Sequence, residues 1–411
     1  MVSLLKKYPH IFIVTILSLG LYFLFYNLLS ISIDDATMFY SVDANSYKLL
    51  GEAIVGGTDS GYYSIRPIGF PLILTFLLKI GGVYAVWFYH VALWVLSSVY
   101  IFKSIFELTS KVVLAYVGGL IFVINLSLIS MTFHGLTELT TVFLLVLLSY
   151  TCCKNIKQRR ELFFLHSTLL FLSVLTIIKP SFFYPFIFVL VVLLPLFYLK
   201  KYINNPKKLF LLILIISPVI TQVSVMKLKY DEVTVSQIGA KTFKSYVYAQ
   251  GLEEIKGLEH KEALTMANQE TNSEIKSFFF DNFSTYALLF SDNIMSNIRS
   301  EANYLKTSDK NQNEFYNEIM KAMNKVYFIL HALFILIFVV VFFYLLKGKK
   351  HVKMIVLIGM SALFYYYIFT TGISFYQGDR LVIGVLGVWI IFYMFLLDNL
   401  IQLFRKEKTS S

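Results

Sequence analysis

The chain has 411 residues, of which 57% are hydrophobic, 17% aromatic and only 15% charged, with a mean hydropathy of +0.69. This is too apolar for a soluble globular protein and requires a lipid environment. The formal charge of +11 raises nucleic acid as a partner, but the basic residues lie in short clusters between apolar runs, which excludes a nucleic-acid surface as their explanation.

A spanning helix needs about 20 mostly apolar residues, because the hydrocarbon core is about 30 Å thick and a helix rises about 1.5 Å per residue. Lys6 and Lys7 precede an apolar stretch from Ile11 to Leu29. It is too long for a signal-peptide core and lacks a small-residue cleavage site, so it predicts a retained first span over 10–30. The polar loop 31–82 follows, with Asp34, Asp35, Asp43, Asn45, Glu52, Asp59 and Arg66. Inside it Tyr47, Leu50, Ile54 and Val55 recur at helical spacing and Gly56-Gly57 supplies a stop, predicting a juxtamembrane helix that opens near Asp43. Pro67 to Ile80 is marginal as a span and carries Pro67, Gly69 and Pro71 in its opening turns, so a short interfacial helix is expected there.

Further spans are predicted at 83–102, 112–131, 136–153, 162–178, 181–199 and 208–227. A polar segment of helical character, 228–323, precedes three last spans at 324–346, 353–371 and 381–403. The expected fold class is thus an all-α polytopic membrane protein with about ten transmembrane helices. Its expected parts are a membrane module over 1–227, a mostly helical external segment over 228–323 and a three-span segment over 324–411. No internal repeat or inverted duplication is evident. Cys152 and Cys153 are adjacent and form neither a disulfide framework nor a zinc-ligand spacing.

Lysine and arginine accumulate in short cytoplasmic loops. With 67–80 held in the interface, the clusters at Lys6-Lys7, Lys103 to Lys111, Lys154 to Arg160, Lys200 to Lys208, Lys347 to Lys353 and Arg405 to Lys408 fall on one side. Only Glu107, Glu161 and Glu407 accompany these nineteen basic residues, and the rest of the chain is net acidic. Were 67–80 a span, every later cluster would face away from Lys6 and Lys7. The expected topology therefore has both termini in the cytosol and both long polar loops outside.

Candidate chemistry concentrates at that outer face. Asp43 suits a helix cap or a general base, and Asp34 and Asp35 either cap the entry to the first loop or compete with Asp43 as base. Glu138, beside His134, reads as a cap or interfacial carboxylate, or as a group that orients an acceptor or holds a divalent cation. Arg66, Lys179 and Arg380 sit at predicted outer ends of spans, where they either snorkel to water or bind an anion. The other histidines are scattered and give no transition-metal spacing, which leaves the cofactor unknown and metal use open. There is no Walker loop and no dinucleotide fingerprint, which argues against an ATP-driven pump.

The motif order resembles the GT-C-type integral membrane glycosyltransferases, in particular the relatives of protein mannosyltransferase and lipid A aminoarabinose transferase. The matching features are Asp43 with Ala44 and Tyr47 at the start of a first-loop helix, then Arg66-Pro67-Ile68-Gly69-Phe70-Pro71, with Ile68 where the family has a second proline. Glu138, the pair Lys179-Pro180, and Arg380 in Gln377-Gly378-Asp379-Arg380 continue the order. The resemblance covers roughly the first 200 residues and the end of the chain, and the long second loop matches only in character.

It implies a hexosyl- or pentosyltransferase of the bacterial cytoplasmic (inner) membrane. Such an enzyme moves a sugar from a polyprenyl-phosphate donor to an envelope glycan, glycolipid or protein on the non-cytosolic face. Asp43 would be the base, Glu138 and His134 the acceptor or metal residues, and Arg66, Lys179 and Arg380 the lipid-phosphate ligands. A lipid-linked glycan flippase or transporter and a glycan polymerase are the alternatives.

Overall fold

The computed structural model describes residues 9–29, 31–58, 60–158, 161–195, 205–300, 310–348, 351–375 and 377–410, and every regular element among them is helical. Asp59 and the cluster residues Lys6, Lys7, Arg159, Arg160, Lys200, Lys201, Lys349 and Lys350 lie outside the described residues.

The chain runs through α1 (Pro9–Leu29), α2 (Asp35–Met38), α3 (Val42–Gly56), α4 (Gly69–Thr109), α5 (Val112–Val123), α6 (Leu126–Ser130), α7 (Glu138–Lys157), α8 (Glu161–Ile178), α9 (Phe183–Phe188) and α10 (Pro206–Tyr230). Then come α11 (Ile238–Thr242), α12 (Ala249–Lys256), α13 (His260–Gln269), α14 (Asn272–Asp281), α15 (Phe283–Arg299), α16 (Lys310–Lys347), α17 (His351–Thr370), α18 (Arg380–Ile383) and α19 (Leu386–Ser410).

Five stretches are long and apolar enough to cross a membrane: Pro9–Leu28, α4, α10, Asn317–Lys347 and Leu386–Arg405. A sixth arises if Val112–Val123 and Leu126–Phe133, bent by 56°, count as one span. This is the pattern of a multi-pass helical membrane protein. It falls short of the expected ten, because the apolar helices Leu162–Ile178, Pro180–Leu193 and Leu357–Ile373 are shorter. A 17-residue helix rises only about 26 Å, less than the hydrocarbon core. Helix α7 is 20 residues long but includes Thr140, Thr141, Ser149 and Asn155, all buried against its neighbours.

Burial orders the bundle. Helix α1 exposes Phe12, Ile13, Ile16, Leu17, Phe23 and Leu24, as a lipid-facing helix should, whereas every residue from Val388 to Leu396 of α19 is buried. Helix α19 is therefore the central element, packed by α4, α5, α7, α16 and α17.

The predicted break before residue 83 is present. Gly81 and Gly82 leave helical geometry inside α4, Gly82 at φ 61°, a backbone region that glycine enters without the clash a Cβ would bring. The expected boundary at 323 is not a structural one, because α16 runs unbroken from Lys310 to Lys347. Hydropathy marks where apolar residues begin, and a helix can extend well beyond that point.

Helices α12 to α15 enclose a small core of their own around Tyr248, Leu252, Ala263, Ile275 and Tyr286. The group is fastened to the bundle through α15. Asn293 Nδ2 donates to the Gly372 carbonyl at 3.3 Å, and Asn297 Nδ2 donates to Thr371 and Ser374 at 3.0 and 2.7 Å.

Candidate functional site

Helix α3 begins at Ser41, whose side chain accepts from the Ala44 N–H at 3.1 Å. Asp43 is therefore not the cap; it occupies the first turn with its carboxylate available for other partners. Asp34 does cap α2, accepting from the Thr37 N–H at 2.7 Å, while Asp35 is exposed and lies 3.8 Å from Lys48. Neither competing aspartate shares the surroundings of Asp43.

Two close approaches set the position of Arg66. A Cβ on Gly51 would lie 2.6 Å from the Pro71 carbonyl, so α3 rests directly on the opening turns of α4. A Cβ on Gly69 would lie 2.6 Å from the Ile177 carbonyl, which places the 66–69 turn against the end of α8, two residues before Lys179.

Arg66, Asp43, Arg380, Glu138 and Lys179 form one chain of alternating charge. Arg66 Nη2 donates to Asp43 Oδ1, and its Nε donates to Ser46 Oγ at 3.0 Å. The Arg66 guanidinium lies 4.8 Å from the centre of the Tyr47 ring. Arg380 Nη2 donates to the other Asp43 oxygen, Oδ2, at 2.5 Å, and its Nε donates to Glu138 Oε1 at 2.8 Å. Lys179 Nζ is 3.9 Å from Glu138 Oε1 and 5.4 Å from the centre of the Tyr367 ring. Gln377 accepts from Arg380 Nη1 at 3.3 Å.

Burial is graded along this chain. Glu138 is sealed, with 1% of its side chain exposed, against 31% for Asp43. The cluster thus opens at Asp43. Three cations and two carboxylates leave a formal excess of +1, which is suited to an anion. Burial alone would raise the Asp43 carboxyl, but the adjacent Arg380 and Arg66 guanidinium groups outweigh it and hold the group well below the ordinary carboxylate range.

Snorkelling does not describe the three cations, since all turn inward to carboxylates and expose only 7–17% of their side chains. Glu138 is the buried link between Arg380 and Lys179. His134 Nδ1 lies 3.0 Å from the Thr37 carbonyl and ties α2 to the bundle. Among the described residues no group of three or more His, Cys, Asp or Glu side chains gathers as a metal site.

Behind Arg380, Asp379 accepts from Ser127 Oγ and lines a cavity of about 30 Å³ with Asn125, Asn324 and Tyr327. Ser46 and Tyr367 escaped the sequence reading. Ser46 was legible in principle, standing three residues after Asp43 on the same helix face. Nothing local marks Tyr367 among its tyrosine neighbours.

Comparison with known protein families, with curated proteins and with solved structures gives no match.

Proposed function

We propose that the chain is a GT-C-type glycosyltransferase that moves a sugar from a polyprenyl-phosphate donor to an envelope glycan, glycolipid or protein. The observation that carries the reading is the convergence of Asp43, Arg66, Glu138, Lys179 and Arg380 in one cluster that opens at Asp43. In this reading the bundle has ten spans, both termini are cytosolic and the cluster faces outward. In the same reading α8, α17 and the apolar stretch Pro180–Leu193 supply further crossings.

The Asp43 carboxylate, bound by both arginines, is a weak base as it stands. A lipid-linked phosphate offers the arginines a second anion of the right geometry, since guanidinium donates paired hydrogen bonds to phosphate as well as to carboxylate. Exchange of partners frees Asp43 only when donor is bound. Asp43 then removes the proton from the acceptor hydroxyl, whose oxygen forms the new bond to the anomeric carbon. The bond from that carbon to the phosphate oxygen breaks, and the polyprenyl phosphate leaves with the electron pair, its added charge held by Arg66, Arg380 and Lys179.

Mass spectrometry of envelope glycans from deletion and complemented strains tests the reading. Loss of one sugar, restored by the wild-type gene and not by Asp43→Asn, is expected. Unchanged glycans would refute it. A flippase or transporter would leave the purified protein unable to release polyprenyl phosphate from any polyprenyl-phosphate sugar.

A further inference from the structure

At the other end of the two helices that carry Glu138 and Lys179, an open groove of about 550 Å³ lies between α7, α8 and α10. That volume is within the range of about 300–1,000 Å³ usual for ligand clefts. Glu138 and Lys154 lie on the same helix sixteen residues apart, which puts about 24 Å between the groove's basic end and the charge cluster.

The groove is divided along its length. Phe163, Leu170, Leu211, Leu214 and Ile215 form hydrocarbon walls, whereas Lys154, Asn155, Gln158 and His166 crowd the ends of α7 and the start of α8. Lys208 sits in the first turn of α10, one helical turn before the lining residue Leu211. Among the described residues neither Lys154 nor Lys208 is in an ion pair. Lys157 nearby is different, because Glu107 holds it at 2.9 Å. Cations at one end and hydrocarbon along the length match the outline of a phospholipid, and the positive charge of Lys154 and Lys208 selects an anionic headgroup over a zwitterionic one.

We propose that this groove is a binding site for an anionic phospholipid, with its phosphate at Lys154 and Lys208 and an acyl chain along Leu170, Leu211 and Leu214. The site does not depend on the transferase reading, since it lies at the opposite end of the bundle and uses none of the same residues.

Native mass spectrometry of the full chain in detergent, titrated with phosphatidylglycerol or phosphatidylcholine, tests it. Wild type should prefer phosphatidylglycerol by about tenfold or more, as two lysines near a headgroup predict. Lys154→Ala with Lys208→Ala should reduce the preference to less than about twofold. Leu214→Trp should weaken both lipids by filling the groove without a change of charge, while Lys347→Ala, an exposed lysine elsewhere, should alter neither. Circular dichroism and gel filtration establish that each variant is folded. The proposal is overturned by equal binding of the two lipids to wild type or by an equal loss in Lys347→Ala. It is also overturned if Leu214→Trp has no effect, or if inorganic phosphate displaces phosphatidylglycerol at matched concentration, which would indicate an anion patch without a lipid groove.

Discussion

Both oxygens of Asp43 are engaged by arginines, so its substitution acts on stability as well as on chemistry. A carboxylate that merely capped α3 would be replaced by asparagine at little cost, because asparagine caps nearly as well. Here Asp43→Asn leaves Arg66 and Arg380 with a neutral partner. A loss of about 1.5–3 kcal/mol is expected, the scale of a charge-assisted hydrogen bond at a partly exposed site, and thermal unfolding in detergent measures it. Sugar transfer per folded molecule should fall much further, by ~10²–10⁴-fold. If transfer per folded molecule stays normal, the carboxylate is a structural link and no base.

The pH dependence has a definite sign. The folded-state value of Asp43 lies below its ordinary one. The bridge is therefore fully formed above about pH 4, where a free aspartate is ionised, and is lost only as pH falls through the lowered value. The acid limb of kcat/KM, which reports the free enzyme, should lie below about pH 4. Arg380→Gln removes the larger of the two attractions while burial still opposes ionisation, so the limb should move to higher pH. A limb that stays in place would separate Asp43 from the proton transfer.

Among the elements, glycines at close crossings hold the site in register. Gly69→Val should force α4 away from the Ile177 carbonyl, carry Arg66 with it and cost about 1–3 kcal/mol, the usual effect of overpacking. Gly61→Val is the control, since a Cβ there meets nothing within 4 Å and should change stability by less than about 0.5 kcal/mol. Comparison of their melting temperatures, with donor affinity measured alongside, tests the contact.

The same elements show what a sequence can and cannot convey. Helix α3, its stop at Gly57 and the break at Gly81-Gly82 were legible because periodicity and glycine punctuation are local signals. The unbroken α16 was not, because its first turns are polar and hydropathy detects only the apolar part. All five residues of the charge cluster could be nominated from their types and places, but their pairing could not. Asp43 and Arg380 are 337 positions apart, and an arginine at the end of an apolar run looks the same whether it faces water or a buried carboxylate.

For the molecule as a whole, the charge distribution makes a demand that the fold can be held to. The cluster at Asp43 and the groove at Lys154 lie toward opposite ends of α7, so the proposed topology turns one to the cytosol and the other to the far side. In the proposed topology the end near Lys154, where lysine and arginine crowd in the sequence, is the cytosolic one. Single cysteines at Ser60, six residues before Arg66 in the first loop, and at exposed Glu259, in the turn before α13, should react with an impermeant maleimide on intact cells. A cysteine at exposed Gln158, on the rim of the groove, should react only after permeabilisation. The native Cys152 and Cys153 are buried and provide a low background. Labelling of Gln158 on intact cells, with Ser60 protected, would invert the chain in the membrane. It would bring the charge cluster to the cytosolic face, where nucleotide sugars are present and a lipid-linked donor loses its rationale.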